Sequence, residues 1–174
     1  MNLRKLKKKD APLMLEWMHD ENVVKYLATD FTIKTLSDCE NFIHLSADES
    51  RNLHLAIVEN DIYMGTVSLK NISSNDAELA ITIRQAAMGK GISKYSMTEI
   101  IRIGFEELEL EKIYWCVDKI NERAIKFYDK NGYQRISFDE GFINKIRENN
   151  SYTDEQINKY LWYEIKKNRD SQDI

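Results

Sequence analysis

The residues with the most chemistry to offer lie in Ala86-Ala87-Met88-Gly89-Lys90-Gly91-Ile92-Ser93, between an alternating apolar segment and a helix-periodic one. A helix N-terminus leaves backbone N–H groups without partners and carries a partial positive charge. With no side chains at Gly89 and Gly91, a pyrophosphate can approach those amides closely. Lys90 and Lys94 add positive charge, and Ser93 offers a hydroxyl. The same residues would also serve as a tight strand-to-helix turn that binds nothing. The spacing matches neither the phosphate loop of nucleoside triphosphatases nor a full Gly-x-Gly-x-x-Gly dinucleotide pattern.

A second group follows after one helix-like and one strand-like stretch: Asn121-Glu122-Arg123-Ala124-Ile125-Lys126-Phe127-Tyr128-Asp129-Lys130-Asn131-Gly132-Tyr133. Asn121 is of the type that caps a helix, Ala124, Phe127 and Tyr128 share its apolar face, and Asn131-Gly132 ends it in the left-handed manner. The Tyr128 phenol, with a reference pKa of about 10, is either a proton donor or an aromatic packed beside Phe127.

The elements that must position these groups are legible from periodicity. Leu3 to Leu6 reads as a first strand. Asp10 can cap a helix with Pro12 in its first turn and Leu13, Met14, Trp17 and Met18 on its apolar face. Ser37 and Glu40 have capping-box spacing ahead of Cys39, Phe42 and Ile43, the inward stripe of a second helix. Leu53–Val58 and Ile62–Leu69, joined at Asn60-Asp61, form a hairpin. In Ala77 to Arg84, Leu79, Ile81 and Ile83 alternate with Glu78, Ala80 and Thr82, which makes a half-buried strand. Met97, Ile100, Ile101, Gly104, Phe105 and Leu108 give the next helix its stripe. Strands then follow at Lys112–Val117, Tyr133–Phe138 and Leu161–Ile165, with Thr153 or Asp154 capping a short helix before the last. Three consecutive strands exclude a strictly alternating, doubly wound fold. The expected class is a mixed α/β (α+β) sheet with helices on its faces.

Composition sets the frame. The chain has 174 residues, 43% apolar and 31% charged, which suits one globular domain over residues 1–168 with a solvated tail at 169–174. A net charge of −4 gives no footprint for nucleic acid or an anionic membrane. No apolar run spans a bilayer and the basic N-terminus lacks a following apolar core, so the cytoplasm is the expected location. Cys39 and Cys116 read as reduced thiols. His19, His44 and His54 have no pairing suited to zinc, and no metal is expected.

The two motifs together resemble the GNAT superfamily of N-acetyltransferases, whose pattern is Gln/Arg-x-x-Gly-x-Gly/Ala followed by Asn-x-x-Ala-x-x-x-Tyr-x-x-x-Gly-Phe/Tyr. Gly89 and Gly91 fill the first, and Asn121, Ala124, Tyr128, Gly132 and Tyr133 fill the second. The match runs from about Ala77 to Tyr133, with element order alone before it. It departs at Ala86, which stands where the family has Gln or Arg.

The resemblance implies a mainly antiparallel seven-stranded sheet with a splay between its fourth and fifth strands, and acetyl-CoA as co-substrate. Its pantetheine arm would pair with backbone of Ile81, Thr82 and Ile83. Its pyrophosphate would sit on Met88, Gly89, Lys90, Gly91, Ile92 and Ser93, with Asn121 reaching the arm. Tyr128 would be the acid for the leaving thiolate, and Glu78 the base acting through water. A lone strand glutamate is otherwise an exposed surface residue.

Within the superfamily the Leu-Arg-x-Leu start and the Phe-Tyr-Asp-Lys-Asn-Gly-Tyr helix look like the branch of ribosomal-protein N-terminal acetyltransferases, with spermidine and aminoglycoside enzymes related. The acceptor pocket would be built from the first two helices, the hairpin and the Asp139–Asp154 segment. A small-molecule amine is favoured over a protein N-terminus, because no charged groove for a ribosomal partner is readable. A non-catalytic CoA-binding module, a peptide binder using the splay and a homodimer are compatible with the same pattern.

Overall fold

The computed structural model describes residues 1–47, 50–137, 139–150 and 152–168; the proposed tail at 169–174 and Phe138 lie outside the described residues. Seven strands form one sheet in the order β1-β2-β3-β4-β5-β7-β6. They are β1 (Asn2–Lys5), β2 (Leu53–Glu59), β3 (Ile62–Lys70), β4 (Asp76–Ile83), β5 (Lys112–Asp118), β6 (Gln134–Arg135) and β7 (Tyr160–Lys166). Every neighbouring pair is antiparallel except β4–β5.

The helices divide between the two faces. On one face, α4 (Ile92–Arg102), continued by a π-helical turn at Ile103–Glu107, and α5 (Glu122–Lys130) bury the main core. That core takes the odd-numbered face of β4 (Ala77, Leu79, Ile83), with Ile113, Trp115 and Val117 of β5. On the other face, α1 (Ala11–Met18) and α3 (Leu36–Leu45) cover Ala56, Val58 and Tyr63. Beside them, α6 (Glu140–Asn150) and α7 (Asp154–Lys159) pack Phe142, Ile146 and Ile157 on Tyr114, Tyr160 and Trp162. A short α2 (Glu21–Val24) follows α1. Among the described residues, no helix is long and apolar enough to cross a membrane.

Three local expectations are corrected. The cap of α3 is Thr35, whose Oγ1 accepts from Asp38 N at 3.2 Å while Asp38 Oδ2 accepts from Thr35 N at 2.8 Å, not the pair Ser37–Glu40. Asp10 does not cap α1. Its carboxylate is buried against the Arg4 guanidinium (2.7 and 2.8 Å) and accepts from Lys7 N, tying β1 to the helix. Among the described residues the strand expected over Tyr133–Phe138 pairs for two only, Gln134 and Arg135, after which Ile136 N still donates to Trp162 O at 2.9 Å. Asn60 and Asp61 have φ of 50° and 62°, the mirror-image turn that suits a hairpin's twist.

Candidate active site

Where β4 meets β5 the sheet opens. The parallel pairing covers only Asp76↔Lys112, Ala77↔Ile113 and Glu78↔Tyr114. Beyond Glu78, β4 runs on through Leu79–Ile83 still paired to β3, and β5 runs on through Asp118 still paired to β7. The two strands diverge, leaving the β5-facing backbone edge of Ile81, Thr82 and Ile83 without a neighbouring strand. A third extended chain inserted there would meet the N–H and C=O groups that the sheet leaves unused.

The glycine loop lies at the open end. After β4, a single 3-10 turn (Gln85–Ala87) leads through Met88 to Gly89 and Gly91, with φ of 80° and 77°. A Cβ at either glycine would meet no atom within 4 Å, so these positions face open space. Gly91 is the N-cap of α4, and no side chain caps that helix. Its first N–H groups are therefore free for an anion, with the helix dipole behind them. Lys90 and Lys94 are exposed, Ser93 is half-buried and Ile92 is packed in the core. The Arg123 guanidinium of α5 lies 2.7 Å from Met88 Sδ, a third cation at this loop, which the motif pattern does not single out.

On the β5 side of the opening stands an aromatic cluster. The Tyr128 ring lies 5.5 Å from Trp115 and 5.1 Å from Tyr163, and Asn121 holds the start of its helix by accepting from Ala124 N at 3.2 Å. Burial raises the Tyr128 phenol well above its ordinary value, with the nearby Cys116, Tyr133 and Tyr163 acting in the same direction. Its hydroxyl makes no hydrogen bond among the described residues. The Cys116 thiol, on β5, is pushed up to about 12, chiefly by burial.

Glu78 sits at the vertex. It is 3% exposed, accepts from Lys70 Nζ at 3.1 Å and Asn71 Nδ2 at 3.4 Å, and takes the Tyr152 hydroxyl at 2.7 Å. It is thus no surface residue. Through Tyr152, whose hydroxyl also lies 3.6 Å from Cys116 Sγ, the carboxylate joins β4 to the segment between α6 and α7.

Burial also raises Tyr63 and Tyr152, for Tyr63 against the lowering effect of its Thr66 and Trp17 hydrogen bonds. A phenol whose folded pKa is raised keeps its stabilising contribution below the unfolded value near 10 and loses it as pH rises further. Tyr63, Tyr128 and Tyr152 are the most strongly raised of the buried phenols, each worth up to about 1.4 kcal/mol per pH unit above 10. The melting temperature should therefore fall by about 10 °C between pH 9 and pH 11. Circular-dichroism melts across that range check it, and a flat profile would contradict the burial of these phenols.

Next to the opening, on the α1–α3 face, lies a cavity of about 180 Å³. Its walls are Met14, Trp17 and Met18 of α1, Phe31 and Phe42; its floor is His54, Thr66, Ser68, Ala80 and Thr82. Thus β4 serves both spaces, its backbone edge facing the gap and its Ala80 and Thr82 side chains lining the cavity. The floor is ordered by His54 Nδ1 at 2.7 Å from Ser68 Oγ and by the Tyr63 hydroxyl at 2.6 Å from Thr66 Oγ1. Arg84 fixes the wall to the floor, pairing with Glu16 of α1 at 2.9 Å and donating to Tyr63 O at 2.9 Å. The sequence reading singled out none of His54, Ser68, Phe31 or the Glu16–Arg84 pair for these positions. Among the described residues no cluster of His, Cys, Asp and Glu is placed to hold a metal.

The family model described as "Acetyltransferase (GNAT) domain" matches residues 1–134. The chain belongs to this family. Its members are acetyl-CoA-dependent N-acetyltransferases, and the strand gap, the open glycines and the uncapped helix start fit such a donor. Among curated proteins, the chain is 21% identical over 141 residues to acetyltransferase PseH of Campylobacter jejuni (81% of this chain, 87% of the relative). It is 29% identical over 141 residues to spermidine N(1)-acetyltransferase of Escherichia coli K12 (76% and 72%).

Solved structures agree in fold. Spermidine N-acetyltransferase from Vibrio cholerae in complex with CoA and spermine superposes with a TM-score of 0.75 at 18% identity, covering 95% of this chain and 94% of that one. Campylobacter jejuni PseH in complex with acetyl coenzyme A gives 0.65 at 16% identity, covering 96% and 99%. The mixed, mainly antiparallel sheet with one parallel pair is the architecture of this GNAT acetyltransferase.

Proposed function

We propose that this GNAT enzyme moves the acetyl group of acetyl-CoA to the amine of a small molecule, by direct attack with both bound. The observation that carries the reading is the shared use of β4: the strand borders the gap with its backbone edge and floors the cavity with Ala80 and Thr82. Two spaces separated by one strand's width bring a donor and an acceptor together without a covalent enzyme intermediate. The relatives named for acetylation of spermidine support a small acceptor, as does the compact cavity, which sets a protein N-terminus second.

When bound, acetyl-CoA supplies an activated acetyl thioester. Backbone groups of Ile81, Thr82 and Ile83 would hold the pantetheine arm, one of their N–H groups steadying the thioester oxygen as charge develops. The amides of Met88, Gly89, Lys90, Gly91, Ile92 and Ser93 would grip the pyrophosphate, with Arg123 as added charge; this grip needs no side chain at Ala86. Asn121 caps α5 and would also hydrogen-bond the arm. Tyr128 would give its proton to the departing thiolate. Glu78, bound by Lys70, Asn71 and Tyr152, would take the amine proton only through intervening water.

Isothermal titration tests the reading. Folded protein should bind acetyl-CoA in the micromolar range, with NADH and ATP inert, and amines should accelerate CoA release. Folded protein that ignores acetyl-CoA would overturn it.

A further inference from the structure

We infer that the acceptor is a monoamine carried on a compact apolar, preferably aromatic, body, and that this site discriminates against polyamines. The inference rests on the acetyl-transfer reading above and names its substrate class. The cavity's walls offer two thioethers and three aromatic rings, and among the described lining residues none is a carboxylate. Its about 180 Å³ compares with the roughly 150 Å³ of an apolar cavity that accepts benzene.

A polyamine brings at least one further ammonium. A buried ammonium needs a carboxylate or several acceptors, since leaving it unpaired costs several kcal/mol. Two carboxylates on the strand and helix that line the cavity, Glu78 and Glu16, already have resident cations: Glu78 holds Lys70 at 3.1 Å, and Glu16 holds Arg84 through two guanidinium nitrogens. A second ammonium taking either carboxylate would have to break its pair and leave a lysine or arginine behind. The polar atoms along the floor, Ser68 Oγ and Thr66 Oγ1 with their His54 and Tyr63 partners, suit one amine nitrogen. They form a single row. His54 faces Ser68 across β2–β3 and Ser68 faces Ala80 across β3–β4, two pairs beyond the last β3–β4 pair to lie beside the closed part of the sheet, Lys70↔Glu78. The nitrogen is thereby placed at the gap and the apolar body among Met14, Trp17, Phe31 and Phe42.

The test is a steady-state panel at saturating acetyl-CoA with benzylamine, 2-phenylethylamine, 3-methylbutylamine, putrescine and spermidine, read by thiol release and product mass. The arylalkyl amines should exceed spermidine in kcat/KM by at least about tenfold. Phe42→Glu, which puts a carboxylate on the cavity wall, should lower arylalkyl turnover and narrow that ratio, with acetyl-CoA affinity unchanged. Spermidine turning over as well as or better than the monoamines overturns the inference even if the variant fails to fold. So does acetyl-CoA binding with no monoamine turnover, or an unmoved ratio in a folded variant. A wild-type protein that binds no acetyl-CoA instead overturns the acetyl-transfer reading itself.

Discussion

Gly89→Glu should abolish acetyl-CoA binding while leaving a folded protein. Residue 89 has φ of 80°, so any L side chain there is strained by about 1–2 kcal/mol, a cost a domain of this size survives. A Cβ meets no neighbour within 4 Å, so no clash is added. What the substitution adds is a carboxylate beside the uncapped start of α4, on the path proposed for the pyrophosphate. Two like charges 4 Å apart repel by roughly 1 kcal/mol in water and about 4 kcal/mol near a protein surface. Affinity should fall by at least about 100-fold, which is roughly 2.7 kcal/mol. Gly89→Ala separates the effects: it carries the backbone strain without the charge, should melt at the same temperature as the glutamate variant, and should keep acetyl-CoA within about tenfold. Titration and thermal melts of both variants decide the matter. Normal binding by Gly89→Glu would remove the loop from the donor site.

Much of this architecture was legible because the site is built where local signals are strong. Strict alternation in Ala77–Arg84 separates the face that packs on α4 from the face that carries Glu78, Ala80 and Thr82. Asn121 and Thr153 cap as their types suggest, and Gly132, at φ of 77°, ends α5. Where two overlapping signals had the same spacing, periodicity could not choose. Thr35–Asp38 and Ser37–Glu40 are both capping-box pairs, and only tertiary packing selects the first. Acids and amides dominate the segment after Asp139, a composition that a solvated loop would share. Phe142 and Ile146, four apart, nevertheless give α6 its stripe against Tyr114 and Trp162.

The elements around the proposed acceptor cavity, the first two helices and the hairpin, were legible, whereas no described residue of the Asp139–Asp154 segment lines it. The individual lining residues were hidden for a different reason. Met14, Trp17 and Met18 have the spacing of a core stripe, and a helix face that lines a cavity has the same pattern as one that fills it. His54 and Ser68 become partners only through the β2–β3 register, which a single sequence does not state. Glu78 shows the converse: its type and position were readable, yet its burial among Lys70, Asn71 and Tyr152 comes from two segments distant from each other in sequence.

Tyr128→Phe should lower kcat by about 100-fold and leave acetyl-CoA affinity within about twofold. General acids contribute roughly 10²–10⁴-fold, and a thiol of pKa near 8.5 is a good enough leaving group to place this case at the low end. The fold should not suffer. The ring contacts with Trp115, Tyr133 and Tyr163 are kept, and the lost hydroxyl bonds to no described residue. The pH dependence carries the sharper information. Because burial raises the phenol above its ordinary value, Tyr128 stays protonated, and able to donate, across the working range. The defect should therefore be uniform from about pH 6 to pH 10, since the reference phenol pKa of about 10 is a lower bound for this buried group. Rates of wild type and variant with one fixed amine, compared at each pH, give the measurement. An unchanged kcat would make Tyr128 a packing residue of the aromatic cluster. A loss confined to alkaline pH would mean that another group supplies the proton and that Tyr128 only tunes it.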